Sequence, residues 1–421
     1  MIDNNKKTVL FIILDAFRWD YCNEEDTPTL YNLGMNGIWA KKLVSSSGFT
    51  QRSAIFTGAS YNTHGNFTMY TYDPKTSPFK LLKILSPIAG WLDSLPKSNK
   101  IFRIIKKAVN QLPKITADYA PPAWIPLSIL PLISVVEDLK PIYNPSSFSV
   151  ESIFDKLDNN ISYKYFMAPV PKNDKWAMNK ILSVIKEKAG IYFLQFSDSD
   201  GIIHRIGSEC KERREVMRNI DERIKKLKQE FEKNFQDVSF VIIGDHGMMD
   251  VKKYIDIWNP VMKFAKSHKL TIGKDFLMFL DSTLVRFWFF NSQAKAVFSP
   301  FLSNLLSSNQ GTFFTEEIAK KNKIPFKDKK YGDLIWRANP GIGIFPDYFH
   351  SLREKYKAMH GYDSYEEKMK GMAIIYNKND FLNKNVKIEE AHLQDLCPTI
   401  CDILNLPYPS ENKGVSLFKK R

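Results

Sequence analysis

Apolar residues in this chain gather in short unbroken runs that stop at acids or histidine. Residues 9–14 stop at Asp15, and residues 191–196 stop at a Ser-Asp-Ser-Asp stretch ending in Asp200. Residues 238–243 run into Gly244-Asp245-His246-Gly247, and a fourth run, 372–376, follows His360. Runs of four to eight residues, rich in Ile, Val and Phe and without alternation, predict strands covered on both faces of a parallel sheet. Between residues 209 and 234 the pattern changes period. Val216, Ile220, Ile224, Leu227 and Phe231 step by four, four, three and four, one apolar stripe on a highly charged helix. Strands alternating with such helices predict an α/β class: a doubly wound, mostly parallel sheet flanked by helices. No period of 20–50 residues repeats, which removes solenoids and propellers.

Two stretches break the alternation. Residues 75–147 are proline-rich and basic, and residues 260–350 hold an aromatic run at 285–290 together with loop-like segments. Both are expected to be insertions in a single domain spanning 1–421, the second forming a cap. The 421 residues carry 60 Lys+Arg against 46 Asp+Glu, a formal net charge of +14. Eight of those cations, with one acid, fall between residues 79 and 115, which carry half of the net charge. Such a surplus suits anionic partners of any kind. The lysines there interleave with hydrophobic pairs, as in helices that lie at a membrane interface, so a peripheral membrane contact through 79–115 is expected. No recognised nucleic-acid motif accompanies the charge. The apolar runs are too short to span a bilayer, and no secretory signal is read at the start. The four cysteines are few and scattered, read as reduced thiols in a cytoplasmic protein.

The acids and histidines form a pattern. In open α/β sheets functional groups collect at the carboxyl ends of strands, where Asp15, Asp245 and His246 fall. Asp200 and His204 are four apart, one helical turn if that segment is helical, and His360 opens His-Gly-Tyr-Asp363. Three carboxylates and three imidazoles are about what two adjacent divalent ions need. Mixed His/Asp ligation without cysteine favours Zn²⁺, with Mn²⁺ as the alternative.

The order Asp15, Thr27-Pro-Thr-Leu, Thr57-Gly58, His64-Gly65, Asp200-x-x-x-His204, Gly244-Asp-His-Gly-Met248 and His360-Gly-Tyr-Asp363 resembles the alkaline phosphatase superfamily. Within it, the type I phosphodiesterase/nucleotide pyrophosphatase branch is the nearest in pattern. The C-terminal 395–406 segment and a Pro-x-x-Asn-x-Gly echo at 409–414 resemble the end of those enzymes. The resemblance implies a metal-dependent hydrolase of phosphodiester or pyrophosphate bonds. One ion would be held by Asp200, His204 and His360, the other by Asp15, Asp245, His246 and a nucleophile oxygen. Two cations would lower the nucleophile's pKa and neutralise the phosphoryl oxygens.

At the nucleophile the sequence departs from the family. The position nine before Thr57-Gly58 is Gly48, which has no side chain. Thr50 is preferred, as a hydroxyl at the entry to a helix, where free backbone N–H groups favour a phosphate; Ser47 stays as the alternative. Arg52 is a candidate phosphate clamp, and Asn66, after His64-Gly65, a candidate phosphate-oxygen ligand. The expected substrate is a phosphorylated small molecule, nucleotide- or lipid-linked. A phosphomonoesterase or phospho-group transferase of the same superfamily is the alternative, as is a binding module acting through the basic insertion. Sulfatases drop out, because 46–52 lacks their Cys/Ser-x-Pro-x-Arg context.

Overall fold

In the computed structural model the described residues are 7–45, 48–94, 100, 104–105, 107–108, 124–136, 141–157, 161–167, 173–326, 329–350, 354–380 and 383–420. The chain divides into two compact units. The first comprises Met1–Gly65, Lys140–Asp250 and Asp363–Arg421; the second comprises Asn66–Leu139 and Val251–Tyr362.

The first unit is built on a seven-stranded sheet. Its strands are β1 (Thr8–Leu14), β2 (Ile38–Val44), β3 (Tyr163–Phe166), β4 (Ile191–Phe196), β5 (Val238–Gly244), β6 (Gly371–Tyr376) and β7 (Val386–His392), in the spatial order β7-β2-β6-β5-β1-β4-β3. β1 pairs in parallel with β4 and β5, β3 with β4, and β7 with β2. Only β6 runs antiparallel to its neighbours β5 and β2. This is the mostly parallel, helix-flanked sheet expected from the apolar runs. β1, β4 and β5 are buried at every residue, as strands covered on both faces must be.

The helices that position chemistry are α1 (Pro28–Met35), α2 (Arg52–Thr57), α3 (Asp174–Val184), α4 (Asp198–Ile206), α5 (Glu212–Asn234) and α6 (Leu396–Leu404). The stripe of α5 corrects the sequence reading at its start. Met217, not Val216, is the buried residue, so the buried set is Met217, Ile220, Ile224, Leu227 and Phe231, stepping three, four, three and four. At 3.6 residues per turn, three steps of four and one of three would drift off the face; alternating steps hold it. α2 is only six residues long and depends on packing. Its Phe56 is fully buried against Phe11 of β1 and Phe193 of β4, at ring-centroid separations of 6.1 and 5.7 Å. A buried Phe contributes about 1.5–3 kcal/mol, more than so short a helix supplies by itself.

The second unit has a four-stranded antiparallel sheet in the order Phe276–Leu280, Leu284–Phe289, Leu334–Ala338, Gly311–Phe313. The aromatic run thus forms a strand, with Arg286 buried in it. Arg286 pairs with Asp281 at 2.8 Å and donates to the Tyr70 carbonyl at 2.8 Å.

Candidate functional site

Five of the six acids and histidines predicted as ligands fall in the first unit, at the carboxyl ends of β1, β4 and β5. β1 and β5 come so close at their ends that a Cβ on Gly244 would lie 1.9 Å from the Phe17 carbonyl oxygen. Only glycine fits there, and the approach carries the residues that follow each strand toward one another. Ala16, directly after Asp15, sits at φ +58°, a left-handed conformation that costs a non-glycine residue free energy. That bend aims the Ala16 N–H at Asp245 Oδ1, 3.2 Å away; the His246 N–H donates to the same oxygen at 2.9 Å.

The ring of His246 is oriented by its own backbone. Nδ1 lies 3.0 Å from the Gly247 carbonyl, and because a carbonyl only accepts, Nδ1 must donate. Nε2 is left facing the carboxylates, 3.3 Å from Asp15 Oδ1 and 3.8 Å from Asp245 Oδ2. Ligand atoms of Asp15, Asp245 and His246 all lie within 4.8 Å of one another, and a carboxylate oxygen of Asp200 lies within the same distance of a His246 ring nitrogen. Burial pushes the Asp245 carboxyl above the usual carboxylate range. Burial acts to lower His246, but the charges of Asp245 and Asp15 outweigh it and raise the imidazole well above its ordinary value. A buried carboxyl and imidazole that hold their protons this firmly beside further carboxylates are what a divalent cation relieves when it replaces those protons.

Asp200 lies in the first turn of α4, and its carboxylate is 3.3 Å from His204 Nε2 one turn later, as the spacing anticipated. The start of α4 is clamped by a residue that sequence reasoning did not single out. Asp174, 1 % exposed, accepts from the Ser197 and Asp198 N–H groups at 2.7 and 3.0 Å and pairs with Arg223 at 2.9 Å. Burial lifts its carboxyl to about 6 even with that arginine present. Asp198 in turn accepts from the Asp174 N–H at 3.3 Å. Gln195 was missed as well. Its amide donates to Asp15 Oδ2 at 2.9 Å, and Ser199 donates to the Asp15 carbonyl at 2.6 Å. The signal was visible, since Gln195 is the one polar residue inside the run 191–196.

Thr50 is 1 % exposed, and its hydroxyl has no hydrogen-bond partner among the described residues. It does not cap α2: the capping position is Gln51, with no side-chain capping bond. Gly48 lies at φ +117°, where any side chain would be strained, so the family's usual nucleophile position is closed to a hydroxyl by the backbone itself. Ser47 lies outside the described residues. Arg52 opens α2 and is half-buried. Asn66 and His360 belong to the second unit. Asn66 is its first residue; His360 follows the strand Ala358–Met359, and its carbonyl accepts from Thr283 Oγ1 at 3.2 Å.

Several of the recurring sequence motifs turn out to hold the frame. The Gly58 carbonyl, ending α2, accepts from the Lys413 and Gly414 N–H groups at 2.8 and 3.2 Å, which joins the Thr57-Gly58 and 409–414 motifs. Thr29 and Leu30 of α1 donate to the buried Asp221 of α5 at 3.0 and 2.9 Å. His64 is 1 % exposed, and burial lowers its pKa to about 3, which keeps it neutral.

The donor set of Asp15, Asp245 and His246, hard carboxylate oxygens with an imidazole nitrogen, fits a first-row divalent ion. Burial raises the Cys22 and Cys397 thiols above their ordinary value, which disfavours a thiolate at either.

The sequence model of the type I phosphodiesterase / nucleotide pyrophosphatase family matches residues 9–363. Among solved structures, murine ectonucleotide pyrophosphatase/phosphodiesterase 5, as an inactive form in complex with AMP, is similar at 17 % identity and a TM-score of 0.66, covering 96 % of each chain. A second structure of the murine protein is similar at 18 % identity and a TM-score of 0.65, again covering 96 % of each chain. The human protein gives 15 % and 0.66, covering 95 % of this chain and 96 % of its own. No curated protein sequence matches.

Proposed function

Because the chain belongs to the type I phosphodiesterase/nucleotide pyrophosphatase family, and is therefore a phosphodiesterase-type hydrolase, we propose that it cleaves phosphodiester or pyrophosphate bonds through a Thr50 nucleophile and two divalent ions, zinc first. The family acts on phosphorylated, nucleotide-type substrates and is divalent-metal dependent. The observation that carries the reading is the cluster of Asp15, Asp245 and His246, with ligand atoms within 4.8 Å of one another. His246 Nδ1 is tied to the Gly247 carbonyl, so Nε2 is its coordinating atom.

In this reading Asp15, Asp245, His246 and Thr50 hold one ion, and Asp200, His204 and His360 hold the other. When bound, the ions supply positive charge that favours the Thr50 alkoxide and neutralises charge developing on the phosphoryl oxygens. Thr50 Oγ1 forms a bond to phosphorus as the bond to the leaving oxygen breaks; water then cleaves the phosphoryl-threonine bond and restores the hydroxyl. Gln195 and Ser199 hold Asp15 in place, and Asp174 holds the opening of α4. Arg52 and Asn66 bind phosphoryl oxygens, the first through a charged fork, the second through an amide.

The test is metal analysis of the purified protein beside turnover of a chromogenic phosphodiester and the matching monoester. The expected result is stoichiometric zinc, faster diester than monoester turnover, and loss of about 10³-fold or more in rate for both Thr50→Ala and Asp245→Asn, on the scale of removing a covalent nucleophile. AMP, the ligand in the murine structure, should compete with substrate. Thr50→Val should keep its thermal midpoint, because it preserves the buried shape and the hydroxyl it removes has no hydrogen-bond partner among the described residues. Faster monoester turnover would assign the enzyme to the phosphomonoesterases of the superfamily. A metal-free, inactive wild type would overturn the scheme.

A further inference from the structure

The second unit shows a surface whose composition its own folding does not require. Residues 80–94 form a 3₁₀ helix, Lys80–Leu85, and an α-helix, Ser86–Ser94. Phe79, Leu82, Ala89 and Leu92 are buried, so one side of this segment packs inward. Leu81, Ile84, Ile88 and Trp91 are 78, 84, 48 and 57 % exposed, and they step by three, four and three along the chain. Scattered exposed leucines need no explanation, but four large apolar side chains at helical spacing within eleven residues do.

Charge decides what such a surface meets. Lys80 and Lys83 are exposed beside these residues, and Lys100, Lys107 and Ile104 continue the same mixture further along. The single acid between residues 79 and 115 is Asp93. Its carboxylate accepts from the Leu127 and Ser128 N–H groups at 2.6 and 2.9 Å, bonds within its own unit that hold its charge on the fold. Apolar residues that include a tryptophan, flanked by cations and without a free acid between them, match the headgroup layer of an anionic bilayer. Among the described residues no helix is long and apolar enough to cross a membrane, so the contact is interfacial.

We infer that residues 80–94 dock the protein on anionic lipid surfaces, with Leu81, Ile84, Ile88 and Trp91 entering the boundary between headgroups and acyl chains and Lys80 and Lys83 meeting the lipid charge. The test is co-sedimentation of the full chain with vesicles of phosphatidylcholine alone and with about one-third phosphatidylserine, at low and high salt. Wild-type protein should be retained on the anionic vesicles at low salt, released as salt rises, and retained weakly on neutral ones. Lys80→Gln/Lys83→Gln should weaken retention about thirtyfold, from about fivefold per lysine near such a surface. Ile88→Ser/Trp91→Ser should abolish it. Both variants should keep wild-type thermal midpoints and turnover of a soluble phosphodiester, since neither touches the proposed site. No retention of the wild type at low salt would overturn the inference, as would equal retention of all three proteins. Self-association of the wild type, relieved by the same variants in place of vesicle binding, would assign the surface to a second copy of the chain.

Discussion

His246 shows how one residue is prepared by its neighbours. Its Nδ1 donates to the Gly247 carbonyl, and the Asp245 carboxylate accepts from the Ala16 and His246 N–H groups. Backbone groups thereby fix one end of each side chain. Asp15 differs in this respect, because it relies on Gln195, whose amide donates to its Oδ2. Gln195→Leu removes that donor and leaves an apolar side chain of similar size in β4. Loss of such an orienting partner costs about 10–100-fold in metal affinity or activity. Titration of the metal-depleted variant with zinc, followed by turnover at saturating metal, should show the loss mainly in affinity; unchanged affinity and rate would remove Gln195 from the site's support.

At the scale of elements, the carboxyl ends of β1, β4 and β5 carry the site, and these strands were the most legible part of the sequence. Strands buried on both faces have no polar alternation to blur them, so each ended at or just before the first acid, serine or glycine after its apolar run. β2 and β7 were not read. β2 contains Lys41 and Lys42, and β7 alternates Lys387, Glu389 and Glu390 with apolar residues, as strands with one exposed side do. The clamps at strand ends were illegible for another reason. Asp174 and Gln195 act on residues 23 and 180 positions away, and nothing local marks such partners. The loop after α4 is tied in the same long-range way, by Glu209, which accepts from Arg18 and Lys368, both at 2.8 Å. The Arg18 hydrogen bond, more than the Lys368 one, holds the Glu209 carboxyl down at about 2 against an ordinary 4.5. A depressed carboxylate stabilises the fold above its unfolded pKa, and that contribution is lost as pH falls through the folded value. Thermal midpoints of wild type and Glu209→Gln should therefore differ at pH 6 and converge as pH drops below about 4.5. Glu209 is 43 % exposed on its side chain, so the difference is expected to be small and to shrink with salt. A gap that stays constant from pH 6 to 3 would show that Glu209 does not act through its charge.

For the whole molecule, the net charge of +14 coexists with a crowded carboxylate cluster, the metal site we propose. A crowded, buried set of acids is tolerable in a fold only where protons or cations share it, so the folded state and its ions are linked by mass action. Dialysis against a chelator should abolish turnover and lower the thermal midpoint, and added zinc should restore both. Asp245→Asn, which removes one charge from the cluster, should be much less sensitive to chelation in its midpoint. A wild-type midpoint that ignores chelator would mean the ions contribute to rate and nothing to folding.

The unpartnered Thr50 hydroxyl has a consequence for descent. A polar group kept dry with no protein partner stabilises nothing in the metal-free chain, and a valine of the same shape would lose no hydrogen bond there. Stability therefore offers little resistance to losing the Thr50 hydroxyl, the proposed nucleophile, and the thermal midpoint of Thr50→Val measures how little. Any lineage released from selection for turnover could drift at this one position into a sound, silent binding protein, its scaffold intact. If Thr50 is the nucleophile we propose, persistence of its hydroxyl would be maintained by catalysis and not by stability.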